Sequence, residues 1–216
     1  MKHLFLTSSV GTPGVGESIL SVLHGHKFNK TAYITTAIEC EPDQIGEEWD
    51  DSDHGAISAI SNQVFDYTVS NKTEQQIRAD LKDIDCLYVA GGNSFYLLQE
   101  SQKCNFKNVV HELVNHGVTY IGCSAGSVIA GPDISPVLGL DSITKAPHLN
   151  GYEGYHLVDF VVLPHWGSDD FHEAYLSSKS FEATYKTDFQ LISLNNYEYV
   201  EVVGDKYRII DIRREK

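Results

Sequence analysis

The stretch of residues 118–131 limits the possible folds of this chain more than any other segment. An apolar run ending at Ile121 predicts a buried strand, Gly122-Cys123-Ser124-Ala125-Gly126 follows, and a small-residue helix pattern comes next. A strand, Gly-x-Ser-x-Gly and a helix in this order are typical of a nucleophile elbow, a tight turn that holds a serine hydroxyl outside the sheet. The glycines leave room for unfavourable φ and ψ at Ser124, and the free amides of the helix start face charge that develops beside it. The other interpretation is a glycine-rich turn that only packs.

Short apolar runs alternate with amphipathic segments along the chain. This alternation predicts βαβ units, and hence an α/β fold with a mainly parallel sheet. The acidic segment 39–53 is predicted to be a solvated loop, and the absence of repeats and linkers predicts one domain over residues 1–216. A tight turn at 203–206 joins the last two strands. The predicted strands are 3–8, 31–35, 66–69, 86–90, 119–121, 158–163, 189–194, 199–203 and 207–212, and the predicted helices are 17–23, 56–64, 73–81, 95–100, 109–115 and 169–178.

Charge and cysteine content narrow the class of function. A formal net charge of −14 argues against binding nucleic acid or anionic membranes through the overall field. No run approaches the length of a membrane-spanning helix, and the N-terminal apolar run is too short for a secretory signal. The 4 cysteines have no metal-ligand spacing and are expected to be reduced in a cytoplasmic protein. We therefore expect no metal and no cofactor.

A serine nucleophile needs a base within hydrogen-bond reach, usually a histidine. Of the 10 histidines, His165 is the best candidate, because it follows a predicted apolar strand. The carboxyl ends of strands are where α/β folds place their sites. His148 and His156, near the end of an irregular segment, are the alternatives.

The oxyanion donors are expected to be backbone amides. The Ala125 N–H directly follows the candidate nucleophile and is the first donor. The second is expected from Gly91-Gly92-Asn93, a glycine pair that directly follows a predicted buried strand. Glycine lets the backbone come close to a substrate and direct its N–H inward. The alternative is that this segment is a simple turn between a strand and a helix.

Five motifs, spread over nearly the whole chain, carry a family resemblance. They are Leu-Phe-Leu-Thr-Ser-Ser at 4–9, Val-Ala-Gly-Gly-Asn-Ser-Phe-Tyr-Leu-Leu at 89–98, Gly-Cys-Ser-Ala-Gly-Ser at 122–127, Leu-Val-Asp-Phe at 157–160 and Leu-Pro-His-Trp at 163–166. In this order they resemble the dipeptidase E family of serine peptidases, which includes aspartyl dipeptidases and cyanophycin-degrading enzymes. The resemblance implies a three-layer αβα fold similar to class I glutamine amidotransferases, and short peptides as substrates.

The resemblance also implies roles for individual residues. Ser124 would be the nucleophile, His165 the base, and the amides of Gly92 and Ala125 the oxyanion donors. The chain departs from the family pattern at the third catalytic residue, where the family's acid matches Asn196.

That departure leaves several candidates for the group that orients His165. An amide such as Asn196 can orient an imidazole, but it cannot stabilise the imidazolium by charge. Glu198, two residues on, would share a strand face with Asn196 and is the alternative. Asp141 and Asp159 are more distant acids that the sequence also leaves open.

A second departure concerns substrate specificity. Aspartyl dipeptidases of this family hold the substrate's N-terminal Asp with a basic side chain after the histidine segment. Between Trp166 and Lys186 this chain has no arginine. Hydrolysis of Asp-X dipeptides is therefore a weaker expectation than hydrolysis of some short peptide.

Three functional hypotheses follow. The first is a serine peptidase, dipeptidase-like, that acts on short peptides through an acyl-enzyme at Ser124. The second is a binding or regulatory homologue that is inactive or weakly active because Asn196 stands in place of the acid. The third is glutamine amidotransferase-like acyl transfer. It is disfavoured because those sites have a cysteine in the middle of the elbow, whereas Cys123 lies one position earlier. The sequence determines neither the oligomeric state nor the physiological role.

Overall fold

A mainly parallel β-sheet is the scaffold of the chain. The computed structural model describes residues 1–214, which form the strands β1 (His3–Thr7), β2 (Thr31–Ile34), β3 (Val64–Tyr67), β4 (Cys86–Val89), β5 (Thr119–Cys123), β6 (Phe160–Leu163), β7 (Gln190–Ser193), β8 (Glu198–Val203) and β9 (Lys206–Asp211). Seven of them form one sheet in the order β3-β2-β4-β5-β1-β8-β9. The first five in this order are parallel, while β8 and β9 are antiparallel to their neighbours. The predicted parallel sheet and C-terminal hairpin are both confirmed.

Helices cover both faces of this sheet. They are α1 (Val15–Val22), α2 (Glu48–Ala59), α3 (Glu74–Asp80), α4 (Ser94–Lys103), α5 (Phe106–Asn115), α6 (Ala125–Ile129), α7 (His172–Tyr175) and α8 (Ser178–Tyr185). Successive side chains of a strand point to opposite faces. Accordingly, Leu4 and Leu6 of β1 belong to the core under α3 to α6, and Phe5 belongs to the core under α1 and α2. The result is three layers, αβα. No helix among residues 1–214 is both long and apolar enough to cross a membrane.

Strands β6 and β7 pair in parallel as a separate two-stranded sheet. The pairing continues past the strands, since Leu194 N–H donates to Leu163 C=O and Trp166 N–H donates to Leu194 C=O, both at 2.9 Å. His165 follows β6 and Asn196 follows β7. The carboxyl ends of two neighbouring parallel strands therefore bring these two residues together.

The turn between β5 and α6 has the geometry of the predicted elbow. Ser124 has φ 47° and ψ −109°, a conformation that non-glycine residues rarely adopt. A Cβ on Gly122 would lie 2.5 Å from the carbonyl oxygen of Gly126. A Cβ on Gly126 would overlap the carbonyl oxygen of Val89 in β4. Both glycines are thus required for α6 to start directly at the end of β5.

The prediction of a solvated loop at 39–53 is wrong in its second half. Helix α2 begins at Glu48, and its Asp53 is only 2 % exposed. The Asp53 carboxylate is buried because the backbone N–H of Gly11 and the hydroxyl of Tyr88 donate to it, at 2.7 and 2.8 Å. These partners are distant in the sequence, so the local acidic composition gives no sign of them.

Two helix predictions are also wrong in their extent. The pattern at 56–64 is helical only as far as Ala59, because the chain turns at that point and Val64 pairs with Thr31 as the start of β3. The predicted helix at 169–178 is a 3-10 turn followed by the short α7. Helix α8 was not predicted, although Ser177 caps it by accepting the Ser180 N–H at 3.2 Å.

Gly126→Ala is expected to lower the free energy of unfolding by about 1–3 kcal/mol or to prevent folding, because the added methyl group overlaps the Val89 carbonyl. Urea denaturation at a fixed pH measures this effect. Gly55→Ala is the matched control, since Gly55 lies in α2 with no atom within 4 Å of an added Cβ. This control should stabilise the chain by up to about 1 kcal/mol through helix propensity. Equal midpoints for the two variants would contradict the close contact at Gly126.

Candidate active site

Ser124 lies at the carboxyl end of β5, where its side chain enters a cleft. The left-handed φ of Ser124 is supported by a hydrogen bond from its own N–H to Thr7 C=O at 3.1 Å. The hydroxyl oxygen of Ser124 is 3.0 Å from Nε2 of His165. This is the distance that a base needs to remove the hydroxyl proton.

The other side of the His165 ring is held by Asn196. The Asn196 Oδ1 atom is 2.9 Å from His165 Nδ1. An amide oxygen can only accept a hydrogen bond, so Nδ1 carries the ring proton and Nε2 presents its lone pair to Ser124. This tautomer is the one that a general base requires.

The surroundings of His165 affect both the pKa and the orientation of its ring. Burial lowers the pKa of the imidazole below its ordinary value, while the hydrogen bond to Asn196 and the negative charge of Asp170 offset part of this effect. A neutral ring can accept a proton at neutral pH. The ring also stacks on Phe171, with centroids 4.3 Å apart and planes at 13°, which fixes its orientation.

The alternative acid Glu198 is not brought to His165. Its carboxylate accepts the backbone N–H of Asn195 at 3.0 Å and so stabilises the turn that leads into β8. The acids left open earlier have other partners: Asp141 accepts the Ser94 N–H at 2.8 Å, and Asp159 contacts His156 at 2.9 Å.

The alternative bases also lie elsewhere. The exposed His156 ring pairs with Asp159, and the backbone N–H of His148 donates to the side chain of Gln99 at 2.7 Å. The structure therefore brings Ser124 and His165 together with Asn196, and none of the other candidate bases and acids.

The predicted oxyanion segment lies directly against Ser124. A Cβ on Gly91 would be 3.5 Å from the Cβ of Ser124. Gly92 has φ 121°, and a Cβ there would lie 2.5 Å from the Ala37 backbone. Among residues 1–214, no hydrogen bond occupies the N–H of Gly92 or of Ala125. Both groups are therefore free to donate to an oxyanion.

Asn93 has a structural part in the same segment. Its side-chain oxygen accepts the N–H groups of Phe95 and Tyr96 and so caps α4. Its own N–H donates to Ala37 C=O at 2.9 Å. The Asn93 N–H is engaged by the protein, which leaves the glycines of the predicted set as the candidate donors.

The cleft in front of Ser124 has a volume of about 690 Å³. Its lining, within the described residues, contains no lysine or arginine but five acidic residues: Glu41, Glu47, Asp53, Asp141 and Asp170. Burial raises the pKa of the Asp53 and Asp141 carboxyls, and Glu41 pairs with Lys145 at 3.2 Å. Glu47 and Asp170 are exposed and form no ion pair among residues 1–214, so their negative charge in the cleft is unpaired.

Three residues of the site were missed by sequence reasoning: Ser8, Trp49 and Phe171. Trp49 lies in the segment that was predicted to be a solvated loop, yet it lines the cleft within 3.5 Å of a Cβ on Gly91. Ser8 follows β1, and its position at a strand's carboxyl end was a usable signal. Among residues 1–214, no group of three or more His, Cys, Asp and Glu side chains is arranged to hold a metal ion.

A comparison with protein families matches residues 4–210 to the model of peptidase family S51. The chain belongs to peptidase family S51. This S51 chain is therefore a peptidase by family, with the nucleophile elbow and the histidine inside the matched region.

Relatives of similar length support this assignment. An uncharacterized peptidase of Listeria monocytogenes is 30 % identical over 205 residues, covering 94 % of this chain and 96 % of the relative. An uncharacterized peptidase of Pasteurella multocida is 30 % identical and covers 97 % of both. A Peptidase E of Shewanella is 32 % identical over only 88 residues, 41 % of this chain and 36 % of that protein.

The fold matches a solved structure as well. The crystal structure of a protein from Listeria monocytogenes, provisionally named Peptidase E, superposes with a TM-score of 0.84 at 28 % identity and covers 98 % of both chains. The S51 chain therefore has the fold of this neighbour over 98 % of its length.

Asn196→Asp is expected to raise the pKa of His165, because a carboxylate at 2.9 Å from Nδ1 stabilises the imidazolium. An NMR titration of the His165 ring, assigned with a His165→Gln variant, measures the change. Asn195→Asp is the matched control, since the Asn195 side chain accepts the Tyr197 N–H and does not contact His165. A shift of the same size in both variants would mean that Asn196 does not contact the ring directly.

Proposed function

We propose that this S51 chain is a serine peptidase that hydrolyses short peptides. The observation that carries the proposal is the pair of contacts on one ring, 3.0 Å from His165 Nε2 to the Ser124 hydroxyl and 2.9 Å from Nδ1 to Asn196. A hydroxyl, a base and an orienting group in line are the arrangement that nucleophilic catalysis by serine needs.

The proposed reaction has two halves. The Ser124 oxygen attacks the peptide carbonyl carbon while His165 Nε2 takes the hydroxyl proton, and the N–H groups of Gly92 and Ala125 receive the oxyanion. His165 then gives the proton to the leaving amine, the C–N bond breaks, and an ester remains on Ser124. A water molecule then attacks the ester while His165 takes one of its protons, and His165 returns that proton to the Ser124 oxygen as the ester bond breaks and the acid product leaves.

Asn196 changes the energetics of this mechanism. A carboxylate on Nδ1 would stabilise the imidazolium that forms in each half-reaction, whereas an amide contributes only dipole and orientation. The negative charge of Asp170 favours the imidazolium as well, although more weakly than a direct carboxylate contact. We therefore expect a lower turnover than a serine peptidase with an acid at this position.

The charge of the cleft argues against an acidic first residue in the substrate. Glu47 and Asp170 carry unpaired charge, and the lining within the described residues has no cationic side chain. The lysines after Trp166 do not supply one: Lys186 pairs with Glu182, and Lys179 lines a different cavity. The proposal is thus for short peptides with a neutral or basic first residue, in preference to Asp-X.

The two alternatives have less support. A homologue without a catalytic role is expected to have a blocked site. The cleft in front of Ser124 is instead open, with a volume of about 690 Å³. Acyl transfer through Cys123 requires an accessible thiolate. Cys123 is only 3 % exposed, and burial together with the nearby Asp53 raises the pKa of its thiol.

Ser124→Ala is expected to abolish hydrolysis of a dipeptide and tripeptide panel followed by mass spectrometry, because the nucleophile is lost. A fluorophosphonate reagent should add one label to the native chain and none to Ser124→Ala. Thr144→Ala is the control, because it removes a hydroxyl that is hydrogen-bonded to Ser142 and lies outside the catalytic group. This variant should retain both peptide hydrolysis and labelling by the fluorophosphonate. Hydrolysis that survives in Ser124→Ala would refute the proposed nucleophile.

Peptides with Asp as the first residue are expected to have lower kcat/KM than the matching Ala or Lys peptides. Each unpaired carboxylate near the substrate opposes its charge by about 1 kcal/mol at 4 Å in water, or about fivefold at low salt. Added salt should narrow the difference, because it screens exposed charges. Asp170→Asn and Glu47→Gln should also narrow it, whereas the remote Glu182→Gln should not. A preference for Asp-X in the native chain would contradict the electrostatic argument.

A further inference from the structure

We propose that Ser8 is a positioning residue that determines which end of the Asn196 amide faces His165. The inference rests on the proposed serine peptidase mechanism and adds a residue to it. Ser8 does not contact the Ser124 hydroxyl and acts only through Asn196 and His165.

Ser8 directly follows β1 and is fully buried, with 0 % of its surface exposed. Its hydroxyl oxygen accepts the backbone N–H of His165 at 2.5 Å and lies 3.1 Å from Oδ1 of Asn196. It is also 3.5 Å from His165 Nδ1, which is too long for a strong hydrogen bond. One buried hydroxyl therefore contacts both the backbone of the base and the group that orients its ring.

The direction of each hydrogen bond follows from the chemistry of the groups. A backbone N–H can only donate, so it occupies a lone pair of the Ser8 oxygen. The hydroxyl then has a single proton, and the neighbouring acceptor at hydrogen-bond distance is Asn196 Oδ1. The Ser8 proton thus stabilises the orientation in which the amide oxygen, and not the NH₂ group, faces His165.

This orientation matters because the two ends of an amide have nearly the same shape and opposite hydrogen-bonding character. With the amide reversed, NH₂ would donate to His165 Nδ1. The ring proton would move to Nε2 and face the Ser124 hydroxyl, and the lone pair needed to accept the serine proton would be lost.

A carboxylate at position 196 would need no such support. Its two oxygens are equivalent acceptors, so either orientation gives the same ring tautomer. The contribution of Ser8 is therefore tied to the amide of Asn196, and it should largely disappear when that amide is replaced by an acid. A purely structural hydrogen bond to the His165 backbone would not have this dependence.

The test compares Ser8→Ala in the native chain and in an Asn196→Asp background. In the native chain, ring nitrogen-15 shifts of His165 should move from the Nδ1–H toward the Nε2–H tautomer. A hydrogen bond between neutral groups is enough to change such an equilibrium, and hence kcat, by about tenfold, with KM little changed. In the Asn196→Asp background, Ser8→Ala should change kcat less than about twofold and leave the Nδ1–H tautomer dominant.

Ser61→Ala is the matched control. It removes another buried hydroxyl, 6 % exposed and bonded to Thr31 at the start of β2, and it should affect stability without changing the His165 tautomer. Ser8→Cys, whose thiol is a weak donor and acceptor, serves the same comparison should Ser8→Ala not fold.

Two outcomes would overturn the proposal for Ser8. One is an unchanged tautomer in folded Ser8→Ala, and the other is an equal loss of kcat in both backgrounds. The nitrogen-15 measurement needs no substrate. A native chain without peptidase activity would therefore refute the proposed function, while a tautomer change in Ser8→Ala would still support the role of Ser8.

Discussion

The contact between Gly126 and the Val89 carbonyl is the constraint on which the site depends. It allows α6 to begin at the end of β5, which gives Ser124 its positive φ. His165 also has a positive φ, of 59°. Strain of this kind costs about 1–3 kcal/mol per residue and persists where the surroundings hold it. Here the surroundings are the end of β1, since the N–H groups of Ser124 and His165 donate to Thr7 and Ser8.

The hydrogen bonds around His165 are made by neutral groups. Ser8, Asn196 and Ser124 bring no formal charge to the ring, and burial lowers the pKa of the imidazole itself. These neutral surroundings favour the neutral ring, which can accept a proton. They give little stabilisation to the imidazolium that forms when the ring does so. The negative charge of Asp170 supplies some of what Asn196 lacks. In the proposed mechanism the acidic cleft therefore has two effects: it favours the protonated form of His165, and it opposes an acidic substrate.

Local sequence patterns were sufficient for the elbow, the glycine pair and most strands, because each depends on residues close together in the chain. The apolar run before His165 also led to that residue, whereas Asn196 came from the family resemblance. The contact between those two residues depends on the parallel pairing of β6 with β7, which lie about 30 residues apart. Ser8 is further away still, 157 residues before His165. No local periodicity encodes the register between segments that are distant in the chain. The contacts of His165 with Asn196 and Ser8 are therefore seen only in the fold.

The prediction of a solvated loop at 39–53, which was based on the acidic composition, is wrong at α2 for the same reason. Asp53 is buried beneath the elbow and accepts hydrogen bonds from Gly11 N–H, Tyr88 hydroxyl and Cys123 thiol, at 2.7, 2.8 and 3.1 Å. A buried carboxyl with three donors links α2 to β4 and to the residue before Ser124. Trp49 stands one helical turn before Asp53 and lines the cleft. The position of the cleft wall therefore depends on Asp53, and a polar residue that composition assigns to the surface connects Ser124 to the shape of the cleft in front of it.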